Sequence, residues 1–118
     1  MNSRSKALLV AKIAQDKKAH DIVILDISKT SDITDFFIIC SGNSTRQVRA
    51  ITDYIKEKLK HLGHKVWHIE GRQYALWVVL DCGDIVVHLF HAPTRDFYDL
   101  ERLWADAPQV NLESDAEK

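Results

Sequence analysis

The stretch from Ser44 to Gly63 constrains the fold more than any other part of the chain. Val48, Ile51, Ile55, Leu59 and Leu62 step by three or four residues and form one apolar stripe, with Arg49, Asp53, Lys56, Glu57 and Lys60 opposite. That spacing is the helical period. Ser44 and Gln47 fit a capping box, in which each side chain satisfies a backbone donor of the other's residue. Gly63 supplies a natural stop. A helix with one apolar stripe must bury it, and the flanking sequence offers strands. Asp21–Ile27 and Asp35–Cys40 come before it; Lys65–Glu70, Ala75–Asp81 and Ile85–Phe90 come after. The apolar run Ile22–Leu25 predicts a strand with cover on both faces or a central place. The short link Asp81-Cys82-Gly83-Asp84 predicts an antiparallel hairpin. Residues 3–19 read as a first helix, with Ala7, Leu9, Ala11, Ile13 and Ala14 on adjoining positions. Arg95–Ala105 reads as a last one, packing through Phe97, Leu100 and Leu103 or Trp104. The order αββαβββα predicts an α/β (α+β) fold: a mixed five-stranded sheet with helices mainly on one face.

A chain of 118 residues has room for one domain, expected over residues 1–107, with Pro108–Lys118 as a flexible tail. Hydrophobic residues at 46% are enough for a core. Sixteen basic against seventeen acidic side chains give a net charge of −1, which argues against a grip on nucleic acid through its phosphates. No stretch approaches the ~20 apolar residues of a membrane span. The opening Met1-Asn2-Ser3-Arg4-Ser5-Lys6 lacks the apolar core of a signal peptide, so a cytoplasmic protein is expected. Cys40 and Cys82 sit in apolar runs without CxxC spacing and read as reduced core thiols.

Strand alternation locates the chemistry. Leu76, Val78 and Leu80 form an aliphatic set, opposed by Ala75, Trp77, Val79 and Asp81. The next strand sets Ile85, Val87 and Leu89 against Val86, His88 and Phe90. The strand before adds His68 and Glu70 on one side. The mixed faces can form one surface, which a short last helix covers only in part. Two readings of that surface compete. Its aromatics are core under the last helix, or Trp77 anchors a partner-binding face. His64 and His68 stand ~13 Å apart along a strand and cannot share a metal, and no metal or cofactor is expected. Ser41-Gly42-Asn43-Ser44 lies between a strand and a helix, as in nucleotidyltransferases. The following strand has no Asp-x-Asp pair to hold magnesium, and Asp26 and Asp35 precede the turn. The fold can be of that type without its catalytic acids.

Several segments, in order, resemble the ribosomal silencing factor family, also called Iojap-like. They are Ile24-Leu25-Asp26-Ile27, Ser31–Ile39, Gly42-Asn43-Ser44-Thr45-Arg46-Gln47-Val48, Glu70-Gly71, Trp77–Asp81, Gly83–Phe90 and Arg95–Trp104. The resemblance covers about residues 3–106. It implies a nucleotidyltransferase-like fold without activity. It also implies binding to the large ribosomal subunit at ribosomal protein L-fourteen, which blocks subunit joining and lowers translation when nutrients are short. Little direct RNA contact is expected. The surface expected to bind comprises Trp77, Tyr74, Ala75, Glu70, Asp81, Asp84, His88 and Phe90, whose acids can orient a basic partner. Relatives in organelles carry transit peptides, so the resemblance favours a bacterial cytoplasm. Two other expectations stay open: a phosphate-handling enzyme of the nucleotidyltransferase type, and a homodimer formed through sheet edges.

Overall fold

The computed structural model describes residues 2–112. Helix α1 (Ser3–Asp16) leads into β1 (His20–Asp26) and β2 (Phe36–Gly42), then α2 (Thr45–His61). Strands β3 (His68–Glu70), β4 (Trp77–Asp81) and β5 (Ile85–His91) follow, then α3 (Ala92–Tyr98), α4 (Leu100–Leu103) and β6 (Gln109–Val110). The sheet order is β3-β4-β5-β2-β1-β6. Only the central β2–β5 pair is parallel; β1–β2, β1–β6, β3–β4 and β4–β5 are antiparallel. The expected α+β class, mixed sheet and β4–β5 hairpin are therefore present.

The sheet has six strands among the described residues, not the expected five. The extra one lies in the segment read as tail. The Asp26 N–H donates to the Pro108 carbonyl at 2.8 Å, and Val110 pairs with Ile24 and is buried. Two residues are too few to register as a periodic pattern, so this strand exists because β1 offers a free edge. The rest of that tail, 113–118, lies outside the described residues.

Both long helices cover one face. Val10 and Ala11 of α1, and Val48, Ile51, Ile55 and Leu59 of α2, are fully buried against Ile38, Val78, Leu80, Val87 and Leu89. Val10 takes the central place that the sequence pattern gave to Leu9, which is half-buried. Ser44 caps α2 as expected, accepting the Gln47 N–H at 3.0 Å. The Gln47 side chain reaches one residue further back and accepts the N–H of Asn43. Leu62 does not extend the stripe. It is the C-cap residue and is 53% exposed, because the helix ends at His61 before the stripe completes its next turn. Gly63 follows at φ +81, the left-handed turn that glycine favours. Leu59→Ala is expected to cost about 3 kcal/mol in chemical denaturation, because the cavity opens in a closed layer. A loss of a few tenths would show that the stripe is not packed as described.

The opposite face has lighter cover. Leu25, Ile27, Ile39 and Phe90 are buried there with Leu100, flanked by Val23, Phe37, Trp77, Trp104 and Ala107. The last helix is not continuous over Arg95–Ala105. Asp99 takes a left-handed conformation, φ 48, and splits it into α3 and α4. Leu100 then turns inward and Trp104, the alternative to Leu103, packs on the same side, while Phe97 points to solvent at 82% exposure, against expectation. The break reorients the chain between the two pieces, so one helical period cannot run through both.

Candidate functional site

The mixed faces of three strands do form one surface. Trp77 pairs with Phe90, Val79 with His88 and Asp81 with Val86, while His68 pairs with Asp81 and Glu70 with Val79. Directly paired residues on antiparallel strands share a face, so Trp77, Asp81, His88, Phe90, His68 and Glu70 lie on the side away from α1 and α2. Strand β3 is shorter than expected and contributes only His68–Glu70.

Trp77 sits at the start of β4 and is half-buried. Its indole stacks on Phe90, centroids 4.9 Å apart at 27°, and meets the Tyr98 ring of α3 at 5.0 Å. The indole N–H donates to His88 Nδ1 at 3.1 Å. His88 in turn meets Phe37 edge to face at 4.5 Å, and Phe37 meets Trp104 at 5.2 Å. A row of rings thus crosses the sheet from Tyr98 to Trp104.

The turn before Trp77 sets its place. Gly71 has φ +81, and a Cβ there would collide with the Trp77 carbonyl. The Ala75 N–H closes on the Gly71 carbonyl at 3.0 Å, with Ala75 itself at φ 56. This geometry swings Leu76 out of the aliphatic set to which alternation assigned it, and Leu76 is 46% exposed. Strand β4 accordingly begins at Trp77 rather than Ala75.

The expected site residues divide into three groups. Tyr74 is strongly exposed and Trp77 is half-buried, so both reach the surface. Ala75 and Phe90 are fully buried and His88 nearly so; none of the three offers a contact surface, which corrects the expectation for them. Ala75 belongs to the core on the α1 and α2 side. Among the acids, Glu70 is exposed beside His68. The Asp81 carboxylate accepts the Gly83 N–H at 2.9 Å. Asp84 forms an ion pair with Lys6 of α1 at 2.8 Å, and the same ammonium donates to the Cys82 carbonyl. That pair ties α1 to the β4–β5 turn and takes up the Asp84 charge.

Sequence reasoning missed Leu76, Phe97 and Tyr98 as surface residues. Phe97 and Tyr98 meet at 5.1 Å and extend the Trp77 patch outward. Their signal was adjacency. Two neighbouring residues on a helix point about 100° apart, so a narrow buried stripe cannot hold both.

His88 is neutral by geometry and by burial. The indole N–H can only donate, so Nδ1 must accept and the proton sits on Nε2. Burial pushes the imidazole pKa down to about 4. Above about 6.5, the ordinary histidine value, both folded and unfolded states hold it neutral and stability is complete. Between 6.5 and 4 only the unfolded state takes the proton, so stability falls by ~3 kcal/mol across that window. Denaturation at pH 7 and pH 4.5 is expected to show much of that loss, and His88→Leu to flatten it. An unchanged slope in that variant would assign the loss to other groups.

The cysteines are buried, and desolvation pushes their thiols up to about 12 for Cys40 and about 11 for Cys82. At the other end of the face a cleft of about 480 Å³ lies between Asp26, Lys29, Trp104, Asp106 and Pro108. The Ser28 hydroxyl and N–H both donate to one Asp26 oxygen and hold that carboxyl below its usual range. Among the described residues, no group of three His, Cys, Asp or Glu side chains is placed to hold a metal.

Residues 1–118 match the family described as "Ribosomal silencing factor during starvation". The chain is 44% identical over 113 residues to "Ribosomal silencing factor RsfS" of Bacillus subtilis, covering 96% of each. It is 43% identical to the protein of the same name from Halalkalibacterium halodurans, covering 96% of this chain and 97% of that one. A crystal structure of a Chromobacterium violaceum protein superposes with a TM-score of 0.86 at 36% identity, covering 89% of this chain and 88% of that chain. The segments carrying the resemblance in the sequence include the strands and turns that build the Trp77 face, and the chain belongs to the ribosomal silencing factor family.

Proposed function

We propose that this chain docks on the large ribosomal subunit through ribosomal protein L-fourteen and blocks joining of the small subunit. Translation is thereby repressed under nutrient limitation, in a bacterial cytoplasm. The observation that carries the reading is the Trp77 patch: an indole half-buried on a rigid strand, bordered by the exposed Tyr98 and, through it, Phe97. Such a cluster on a small domain suits a protein partner. The family's name supports silencing of the ribosome, and the exposed Glu70 with Asp81 favours a basic protein over RNA. Co-sedimentation with purified large subunits, with and without small subunits, tests the reading. Binding that leaves subunit joining intact would defeat it.

The placement of the acids supports a binding role rather than catalysis. Asp26 is engaged by Ser28, and no second carboxylate shares its strand in an Asp-x-Asp pair. Magnesium-dependent turnover of labelled nucleotides that disappears in Asp26→Asn or Asp35→Asn would restore the enzyme reading.

Binding is expected to depend only moderately on salt, because a net charge of −1 releases few counterions from RNA. Titration at 50 and 200 mM salt measures this. A drop of roughly 10³ in affinity, as about six phosphate contacts would give, would make RNA the principal contact.

A further inference from the structure

We infer that His88 is a positioning residue for the docking surface: its neutral imidazole accepts the Trp77 indole N–H and fixes the angle at which that indole meets a partner. The inference rests on the reading that Trp77 anchors docking. It starts from the kinds of contact the indole makes. Phe90 stacks on its face and Tyr98 meets it at a tilt, and both contacts tolerate sliding and in-plane rotation. The bond to His88 Nδ1 is the one hydrogen bond of that ring among the described residues, and it pins the rotation.

His88 can hold that bond because it is itself immobilised. It lies on β5, diagonal to Trp77, since Trp77 pairs with Phe90 two residues on. On its other side it packs edge to face with Phe37 of β2. It is 7% exposed, so no water shell competes for Nδ1. The choice of histidine also has a local cost. Its Nε2 is buried and has no hydrogen-bond partner among the described residues, whereas an aliphatic residue would fill a central strand position with no orphaned atom. Nδ1 is the compensating gain, and among the described residues its one hydrogen bond is with the indole of the docking patch. An indole fixed before the encounter loses less freedom on binding.

The wild-type protein is tested first. In uniformly ¹⁵N-labelled material, a scalar coupling across the hydrogen bond is expected between Trp77 Nε1 and His88 Nδ1. Its absence, with Nδ1 titrating as a free imidazole, would overturn the inference without any variant. Large-subunit binding is then compared across variants. His88→Leu is expected to shift the Trp77 indole resonance and weaken binding roughly tenfold, as for an anchor that has lost its preorganisation. His88→Asn, whose amide oxygen can stand near the Nδ1 position, is expected to recover most of the affinity. Trp77→Ala is the reference. If it binds as tightly as wild type, the docking reading itself fails. If Trp77→Ala and the exposed-site variant Phe97→Ala lose binding while His88→Leu keeps full affinity, the docking reading stands and the positioning role is wrong. Should His88→Leu not fold, His88→Val replaces it as the variant lacking an acceptor, and equal binding by the Val and Asn variants overturns the inference.

Discussion

Trp77→Ala is expected to weaken large-subunit binding by a factor of about 30 to 1,000, corresponding to the ~2–4 kcal/mol lost when a central aromatic anchor is truncated. The same substitution also reaches into the fold. It uncovers Phe90, which is fully buried, and leaves His88 Nδ1 without a donor. A fall in stability of about 1–3 kcal/mol is expected beside the loss of binding, from the uncovered ring and the unpaired acceptor. Trp77 alone therefore cannot separate docking from folding, and its exposed neighbours can. Tyr74 is 74% exposed and Phe97 82% exposed, so truncating either is expected to leave the melting temperature unchanged. Phe97→Ala adjoins the patch through Tyr98 and is expected to weaken binding with no change in melting. The measurements are melting and large-subunit titration on one preparation of each variant. Full affinity in all three would remove this face from the interface.

The strands and the long helices were legible because each repeats one physical rule over many residues. The α2 stripe and the alternation of β4 and β5 assigned the buried layer correctly from Val48 to Leu59 and at Val78, Leu80, Val87 and Leu89. What the sequence hid depends on single backbone conformations. Positive φ at Ala75 turned Leu76 outward, and positive φ at Asp99 divided the last helix and exposed Phe97. Neither residue is a glycine; aspartate enters the left-handed region more readily than most residues, but too rarely for Asp99 to mark a break, and alanine at 75 gives no signal. The site was half visible for the same reason. Alternation put Trp77, His88 and Phe90 on one face, and the core reading holds for two of the three. Phe90 and His88 are core; Trp77 is the rim where core meets solvent. Alternation tells which side a residue faces, while the depth of cover depends on where α3 lies.

Arg95→Leu is expected to destabilise the protein by about 3 kcal/mol, because it removes the donor that serves a backbone carbonyl, a buried hydroxyl and a half-buried carboxylate. Its sequence position marks only the start of a helical pattern, yet Arg95 is 8% exposed in the structure. One guanidinium nitrogen donates to the Asp21 carbonyl at 2.6 Å and to the Ser41 hydroxyl at 2.9 Å; another donates to Glu101 at 3.1 Å. Arg95 thus joins the start of β1, the end of β2 and α4. Helices of seven and four residues do not persist by their own hydrogen bonds. They are held by such ties and by Leu100, the buried apolar contact of α4. Leucine at position 95 would leave Glu101, the Asp21 carbonyl and the Ser41 hydroxyl without their donor. Because α3 carries Phe97 and Tyr98, the variant is also expected to weaken large-subunit binding. A double-mutant cycle with Glu101→Leu separates the pair from its surroundings. The double variant should lose less than Arg95→Leu alone, since no half-buried carboxylate then lacks its partner. Equal losses in the two would place the cost on the Asp21 and Ser41 contacts. An unchanged denaturation midpoint in Arg95→Leu would mean that α3 and α4 are held by packing alone.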